Sequence, residues 1–280
     1  MTIAQNLKIA INNLKEKSIE EPMLKARLLL CYILNVSKEY LIIHSNEILD
    51  ENQEEEYAKS IQKLLDGYPL QYITNNQEFM KLNFYVDENV LIPRADTEIT
   101  VEEIIKYCED KENIKLLDLC TGSGAIAVSL GKYIENCEIT AVDISDKALD
   151  VARKNAKNNG VDNIKWILSD LFEKVEDKFD VIVSNPPYIK KEVILELEEQ
   201  VQKEPMIALD GGIDGLDFYR KIIGEAPKYL KEEGSLFLEI GYDQKEEVIE
   251  IINNTNEYTA LRSKKDLAGN DRMVRAKKKR

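Results

Sequence analysis

The sequence has a single histidine, His44, and only four cysteines in 280 residues. The cysteines show no Cys-x-x-Cys spacing and have no histidine neighbour, which argues against a zinc site and against a disulfide framework. We therefore expect reduced, mostly buried thiols and no metal site. A lone histidine is more often a surface or core residue than a catalyst, so chemistry based on histidine is not expected.

Long apolar runs and a positive net charge are also missing. The longest apolar stretch, residues 26–36, contains Arg27 and Asn35 and is too short to cross a bilayer. The first residues lack a basic segment followed by an apolar core, so the sequence predicts no signal peptide, a cytoplasmic protein and no membrane partner. A net charge of −14 opposes non-specific attraction to nucleic acid, and no direct nucleic-acid partner is expected.

Residues 1–70 have the pattern of helices only. Apolar residues recur at spacings of three and four from Ile3 through Leu7 and Ile11 to Leu14, which indicates one amphipathic stripe. The segment carries no phosphate loop, metal cluster or catalytic dyad. It therefore predicts a small all-α domain, for which substrate recognition is the natural role.

In residues 71–95 the spacing of apolar residues changes to about every second position. Apolar residues alternate between Phe79 and Ile92 around the polar Asp87-Glu88-Asn89, which predicts a β-hairpin linker with its turn at these polar residues. A Thr-Glu pair at Thr97 suits the start of the next helix. The hairpin is expected either to pack over an active site or to serve only as a connector.

Residues 96–280 alternate strand and helix, which is the signature of a doubly wound α/β sheet. Ser145 is predicted as a helix N-cap, and Gly160 as the residue that stops the same helix. Strands are predicted at 114–119, 138–143, 163–168, 178–184, 235–240, 258–263 and 271–276. Helices are predicted near 97–110, 124–134, 146–159, 191–200, 215–231 and 243–253.

A glycine-rich turn follows the first strand of this sheet, and its residues are Cys120, Thr121, Gly122, Ser123 and Gly124. The glycines permit a tight turn and a close backbone approach, and the amides at the start of the next helix face a ligand. The following strand ends about 20 residues on in an acid, Asp143, where a carboxylate can bind ribose hydroxyls. On this evidence NAD and S-adenosylmethionine fit equally well.

Two further acids favour S-adenosylmethionine. Asp118, before the loop, would place a carboxylate near a positively charged ligand, which suits a sulfonium with an amino-acid tail better than a pyrophosphate. Asp170 and Leu171 follow the third strand and offer an acceptor for an adenine amine beside apolar surface. Each acid lies at a predicted strand end, where open α/β sheets bind ligands.

The fourth strand of the sheet stops at Asn185-Pro186-Pro187-Tyr188. A proline pair cannot continue a strand ladder, and it leaves the Pro186 carbonyl without a local turn donor. Asn185 adds a side-chain carbonyl acceptor, and Tyr188 adds a flat ring. Two acceptors and a ring suit a planar NH₂ group, such as a carboxamide or a nucleobase amine. A plain strand-terminating turn is the alternative.

Together these motifs resemble the class I S-adenosylmethionine-dependent methyltransferases, and more closely the HemK/PrmC family of peptide chain release factor glutamine methyltransferases. Two residues depart from the family pattern, which usually has proline at Ala95 and glycine at Cys120. Besides the loop and the Asn-Pro-Pro-Tyr motif, the resemblance rests on Gly67-Tyr68-Pro69-Leu70-Gln71-Tyr72-Ile73, Val90-Leu91-Ile92-Pro93-Arg94, Glu204-Pro205 and the run from Ala208 to Leu216.

The resemblance implies a small all-α N-terminal domain, followed along the chain by a β-hairpin and a Rossmann-like methyltransferase sheet. The protein is expected to be a monomer. It implies methyl transfer from S-adenosylmethionine to the glutamine amide in the Gly-Gly-Gln motif of class I release factors. Asn185 and the Pro186 carbonyl would each accept one amide hydrogen, Tyr188 would pack on the amide, and Pro187 would complete the substrate site. A ribosomal-protein glutamine methyltransferase, an adenine-N6 nucleic-acid methyltransferase and a non-catalytic binding protein are the alternatives.

The run from Glu204 to Leu216 contains three glycines and is expected to form a loop beside the site. It would either cover the ligands as a lid or simply connect a strand to a helix.

Overall fold

The computed structural model describes all 280 residues, and they form two compact units. One unit comprises residues 1–75 and 198–203, and the other comprises residues 76–197 and 204–280. The eleven helices are α1 Ile3–Glu16, α2 Pro22–Leu34, α3 Lys38–Ile43, α4 Glu51–Leu65, α5 Leu70–Thr74, α6 Ala95–Cys108, α7 Ala125–Tyr133, α8 Asp146–Asn158, α9 Glu199–Gln202, α10 Asp217–Tyr229 and α11 Lys245–Thr255. The nine strands are β1 Gln77–Phe79, β2 Leu82–Phe84, β3 Ile114–Leu119, β4 Cys137–Asp143, β5 Ile164–Leu168, β6 Phe179–Ser184, β7 Leu230–Glu239, β8 Tyr258–Lys265 and β9 Asp271–Lys278.

The N-terminal unit consists of helices, as the apolar spacing predicts. Thr2 and Asp50 form capping boxes at the starts of α1 and α4, in which each cap side chain and the side chain three residues on bond to each other's backbone N–H. Ile3 and Leu14 are fully buried in the core that α1 shares with α2 and α4. Burying each such side chain contributes about 1.5–3 kcal/mol, so the stripe accounts for the packing of this unit.

A β-hairpin follows, but its turn is not at the predicted residues. Strands β1 and β2 are joined through Met80 and Lys81, which both have positive φ, at 51° and 59°. Two consecutive left-handed residues form the tight turn that matches the twist of a hairpin. Asp87 instead accepts a hydrogen bond from the backbone N–H of Asn89 at 3.0 Å and closes a local turn. The prediction of a hairpin is confirmed, and the prediction of its turn at Asp87-Glu88-Asn89 is wrong.

The second unit is built on a seven-stranded sheet in the order β5-β4-β3-β6-β7-β9-β8. The five strands from β5 to β7 are parallel, and β9 and β8 are antiparallel to their neighbours. The order reverses between β3 and β6, and the crevice outside the carboxyl ends at such a switch point is where open α/β sheets bind ligands. The doubly wound sheet and its final antiparallel pair are confirmed.

Successive residues of the central strands point to opposite faces of the sheet, and both faces are buried. Leu116 and Val181 belong to one core with α6 and α7, while Leu117 and Ile182 belong to another with α10 and α11. Strands covered on both sides are typical of parallel sheets, and they explain the continuous apolar runs in the sequence.

Several boundaries differ from the predictions. No continuous helix spans 191–200, where the chain forms a short 3₁₀ turn at Ile194–Glu196 before α9. The first helix of the sheet domain begins at Ala95, and its N-cap residue Arg94 makes no side-chain cap bond. Thr97 is therefore not a cap but a buried residue of the first turn. Ser145 does cap α8, accepting from the Ala148 N–H at 3.2 Å.

None of the helices is both long enough and apolar enough to span a membrane.

Candidate active site

A cavity of about 300 Å³ opens at the carboxyl ends of β3, β4, β5 and β6. It lies at the switch point of the sheet, because β3 and β6 are the neighbours between which the strand order reverses. The predicted site residues that line it are Cys120, Gly122, Asp143, Asp170, Leu171, Asn185 and Pro187. The predicted residues Asp118, Thr121, Ser123, Gly124, Pro186 and Tyr188 do not line it and lie beside or behind its wall.

The glycine loop forms one wall of this cavity. Gly122 has φ at +54°, and a Cβ there would meet nothing within 4 Å, so the backbone can approach a ligand closely. Gly124 has φ at +79°, and a Cβ there would lie 3.0 Å from the Ala152 Cβ on α8. Cys120 also has positive φ, at 60°. The glycine that the family pattern usually has at this position would adopt that conformation without steric cost.

Asp118 is fully buried beneath the loop rather than exposed in the cavity. Its Oδ2 accepts from the Thr121 hydroxyl at 2.6 Å and from the Ala127 N–H at 3.2 Å, while Oδ1 has no hydrogen-bond partner. Burial raises the pKa of Asp118 to about 7. The structure thus gives this carboxyl the task of fixing the loop, and its contact with a cofactor stays a prediction.

Asp143 lines the cavity and is bound by two backbone amides. Its Oδ2 accepts from the Gly122 N–H at 2.8 Å, and its Oδ1 accepts from the Ser145 N–H at 2.9 Å. Burial raises the pKa of Asp143, and these amides oppose the effect. Each carboxylate oxygen keeps further acceptor capacity for a hydroxyl of a ligand.

Asp170 and Leu171 lie at the end of β5, on the side of the cavity next to Asp143. Leu171 is buried and has φ at +44°, a strained conformation for a branched side chain. Strained backbone conformations cluster at functional sites. Here the strained residue places an apolar side chain in the cavity wall.

Asn185 is half-buried in the cavity wall, and its Nδ2 donates to the Thr97 hydroxyl at 3.3 Å. Pro186 and Pro187 are buried. The Tyr188 carbonyl accepts from Gln244 Nε2 at 2.9 Å, which fixes the motif against the start of α11. Burial raises the pKa of Tyr188 to about 12, so its hydroxyl stays protonated at neutral pH.

Sequence reasoning missed Thr97 and Glu239, which lie next to Asn185, and Arg272, which faces Glu239. Glu239 ends β7, is 1% exposed, and lies within hydrogen-bonding reach of Thr97 and Asn185. Burial raises the pKa of Glu239 to about 7. Glu239 could have been found by the same sequence pattern as Asp143, because both are acidic residues at the end of a buried strand.

Glu204 joins two segments that line the cavity. Its Oε2 accepts from the Ile92 N–H at 3.0 Å, and its Oε1 pairs with Arg94 Nη2. Burial raises the pKa of Glu204, and Arg94 opposes the effect. The motifs around Ile92 and Glu204 were visible in the sequence, but the bond between them was not.

The run from Glu204 to Leu216 lies beside the cavity, as expected, and Pro205, Ile207 and Ala208 line it. A Cβ at Gly211 would lie 2.7 Å from the Tyr188 backbone, so glycine is needed for this close approach. The Gly215 carbonyl accepts from Gln244 Nε2 at 3.2 Å. These contacts fasten part of the run, and its action as a lid stays a prediction.

Two family profiles match the chain. The profile of the PrmC N-terminal domain matches residues 5–74, and that of the methyltransferase small domain matches residues 97–211.

Curated relatives match over nearly the whole length. The release factor glutamine methyltransferase of Clostridium acetobutylicum is 41% identical over 281 residues, covering 99% of this chain and 98% of that protein. The protein of the same name from Clostridium botulinum is 39% identical over 270 residues, covering 95% of each. That from Moorella thermoacetica is 38% identical over 278 residues, covering 99% and 98%.

Solved structures show the fold. A methyltransferase from Pyrococcus furiosus superposes with a TM-score of 0.54 at 18% identity, covering 82% of this chain and all of that one. A ribosomal protein L11 methylase from Lactobacillus delbrueckii subsp. bulgaricus superposes with a TM-score of 0.52 at 21% identity, covering 70% and 84%. The seven-stranded unit therefore has the Rossmann-like methyltransferase fold.

Proposed function

Because the chain belongs to the release factor glutamine methyltransferase family, we propose that it methylates a class I peptide chain release factor. The methyl group goes from S-adenosylmethionine to the side-chain amide nitrogen of the glutamine in the Gly-Gly-Gln motif. The observation that carries this proposal is Asn185, an amide acceptor at the end of β6 in the wall of the same cavity as Asp143.

The cavity fits S-adenosylmethionine at two points. The open space at Gly122 and the adjacent Asp143 suit a ribose held close to the backbone. Asp170 and Leu171 offer an acceptor and an apolar surface for an adenine ring. The cofactor supplies a methyl group on a sulfonium, which is already activated for transfer. The residues present therefore match the class of group that the family uses.

In the mechanism, Asn185 Oδ1 and the Pro186 carbonyl each accept one hydrogen of the glutamine amide. They hold the nitrogen in line for transfer and stabilise the positive charge that develops on it. Tyr188 packs against the planar amide. Positioning is the main task of the site, because the lone pair of an amide nitrogen is delocalised and reacts poorly.

No strong base is needed before transfer. An N-alkylated amide cation is far more acidic than the amide, so once it is methylated it readily loses its proton to water. This agrees with the composition of the chain, whose single histidine, His44, is an exposed residue stacked on Tyr40 in the N-terminal unit. The chain therefore works by orientation and electrostatics rather than by proton abstraction.

The test is mass spectrometry of a purified class I release factor incubated with this protein and S-adenosylmethionine. A gain of one CH₂, localised by fragmentation to the Gly-Gly-Gln glutamine, is the expected result. The same reaction with a release factor carrying asparagine in place of that glutamine is the control. An unmodified glutamine, with cofactor binding shown by calorimetry, would overturn the proposal and leave ribosomal-protein or adenine acceptors to be tested.

A further inference from the structure

Behind the proposed catalytic amide lies a buried carboxyl that the mechanism above does not use. Strands β6 and β7 are parallel neighbours, with Ser184 paired to Leu238. Asn185 follows Ser184, and Glu239 follows Leu238. These two residues therefore lie side by side at the carboxyl edge of the sheet. Thr97, from the first turn of α6, completes the group.

The hydrogen bonds in this group determine which way round the Asn185 amide sits. Asn185 Nδ2 donates to the Thr97 hydroxyl, and the Glu239 carboxylate is within hydrogen-bonding reach of both residues. A carboxylate only accepts, so it attracts the NH₂ end of the amide and repels the carbonyl end. The carbonyl oxygen is left for the cavity, which is the orientation that an amide substrate requires.

The carboxylate of Glu239 contributes little to the stability of the fold from this position. It is 1% exposed and forms no ion pair, and its Oε2 has no hydrogen-bond partner. The nearby cation Arg272 already holds two acids through Nη2, Asp96 at 3.1 Å and Asp266 at 3.0 Å. Burying a carboxylate that forms no direct ion pair costs folding free energy, so its presence calls for another reason.

We propose that Glu239 is a positioning residue that fixes the Asn185 side chain, directly and through Thr97, with its carbonyl oxygen toward the substrate. The proposal rests on the proposed function, since it assigns a task to the support of the same acceptor. Glu239 acts through Asn185 and does not touch the substrate.

Protonation of Glu239 provides a readout for this role. Arg272 on β9, Asp96 on α6 and Tyr188 after β6 are the charged and titratable side chains that face it, and Tyr219 on α10 binds its backbone carbonyl. A protonated carboxyl can donate to the Asn185 carbonyl and so allow the wrong orientation. Because burial raises the pKa of Glu239 to about 7, kcat should rise with pH through that value.

The experiment compares the wild type with Glu239→Gln, whose amide is isosteric but can donate to either end of Asn185. The expected kcat is about 100-fold lower, as for misplaced reacting groups in other sites. The KM for release factor and the affinity for S-adenosylmethionine should change little, and the rise of kcat near pH 7 should disappear. Thermal stability above pH 7 should be equal or higher, because an unpaired buried charge is removed.

A matched control is Tyr219→Phe, which removes the 2.9 Å hydrogen bond to the Glu239 backbone carbonyl without altering the carboxyl. It should lower stability and keep the pH profile. A structural role for Glu239 would instead give a destabilised Glu239→Gln variant with wild-type kcat per folded molecule, and that result would overturn the proposal.

A second measurement does not depend on methyl transfer. In the ¹⁵N–¹H spectrum, the Asn185 side-chain amide, assigned by its loss in Asn185→Ala, should shift with pH near 7 in the wild type and stay constant in Glu239→Gln. An amide signal that is constant in both proteins would overturn the positioning role. If the wild type fails to methylate the release factor but shows this titration, the proposed function fails and the positioning of Asn185 stands.

Discussion

The two units of this chain are stabilised in different ways. In the N-terminal unit the starts of α1, α3 and α4 are capped by Thr2, Ser37 and Asp50. Asn6 and Ser60 are the buried polar residues of this unit. In the methyltransferase unit four carboxyl groups, on Asp118, Glu204, Glu239 and Asp266, are almost fully buried. Every buried side-chain atom without a hydrogen-bond partner also belongs to that unit.

This difference agrees with a site in the methyltransferase unit. Natural sequences satisfy local rules except at sites where chemistry requires otherwise. Left-handed Cys120 and Leu171 are exceptions to those rules, and both line the cavity. The buried carboxyl groups of Asp118 and Glu239 are further exceptions at the carboxyl edge of the same sheet. The N-terminal unit also has residues at positive φ, among them Ser18, Glu21 and Asn35, but it buries no carboxyl group.

The sharpest test of the contrast is Asn185→Ala, which removes one acceptor from the cavity wall. Turnover of release factor should fall by about 10²- to 10³-fold, as for other sites that lose one aligned hydrogen bond to a developing charge. Cofactor affinity measured by calorimetry should be nearly unchanged. Asn158→Ala, at an exposed position of α8, is the matched control and should keep wild-type turnover. Equal turnover in the two variants would remove Asn185 from the mechanism.

The buried charge of Asp118 should appear in the pH dependence of stability. Burial raises the pKa of Asp118 from its usual 3.8 to about 7. Between those values the native state holds a proton that the unfolded chain has lost, so the free energy of unfolding falls as pH rises. Asp118 should contribute roughly 2–4 kcal/mol to that fall.

Denaturant titrations of the wild type and Asp118→Asn between pH 4 and 7.5 would measure this contribution, and the variant should show the shallower slope. Asp150→Asn, at an exposed position of α8, should keep the wild-type slope. Parallel slopes for the wild type and Asp118→Asn would show that Asp118 titrates normally.

Substitutions of the two loop glycines should separate an effect on stability from an effect on ligand binding. Gly124→Ala combines a left-handed backbone with a close contact to Ala152, and it should cost about 2–3 kcal/mol of folding free energy. Gly122→Ala has open space, so it should cost only about 1 kcal/mol. Because Gly122 lines the cavity, however, the added methyl group should weaken S-adenosylmethionine binding. Calorimetry and thermal unfolding of both variants check this, and a reversed order of stabilities would contradict it.

The smallest effect is expected at a cap of the N-terminal unit. Asp50→Ala removes the acceptor for the Gln53 N–H at 2.9 Å and should cost about 1 kcal/mol. Asp50→Asn, which keeps an acceptor, should lower the folding free energy by only about a few tenths of a kcal/mol. Thermal unfolding gives both values, and equal losses would mean that the charge rather than the hydrogen bond stabilises α4.

The fold could be predicted almost completely because its signals are local and strong. Apolar stripes gave the first helices, and alternating strand and helix patterns gave the sheet. The hairpin turn was misplaced because Met80 and Lys81 adopt positive φ without the glycine or asparagine that usually marks such a turn. The predicted helix over 191–200 failed because no local pattern in this short run of mixed apolar and charged residues distinguishes a helix from 3₁₀ turns.

The candidate site was predictable only in part. Residues at strand ends could be assigned to one edge, because parallel strands bring their carboxyl ends together. The bond from Glu204 to Ile92 joins residues 112 positions apart, and no local pattern reports it. Glu239 had the right signal, but its meaning depends on Asn185 being its neighbour, which follows from the order of the strands.

The N-terminal unit is not one continuous stretch of chain. Residues 198–203 belong to it, and a Cβ at Gly67 would lie 2.9 Å from the Glu199 carboxylate. A cut at residue 75 would therefore remove α9 from the unit to which it belongs. Exchange of the N-terminal unit between related chains, by recombination or by protein engineering, must therefore carry two segments of gene rather than one.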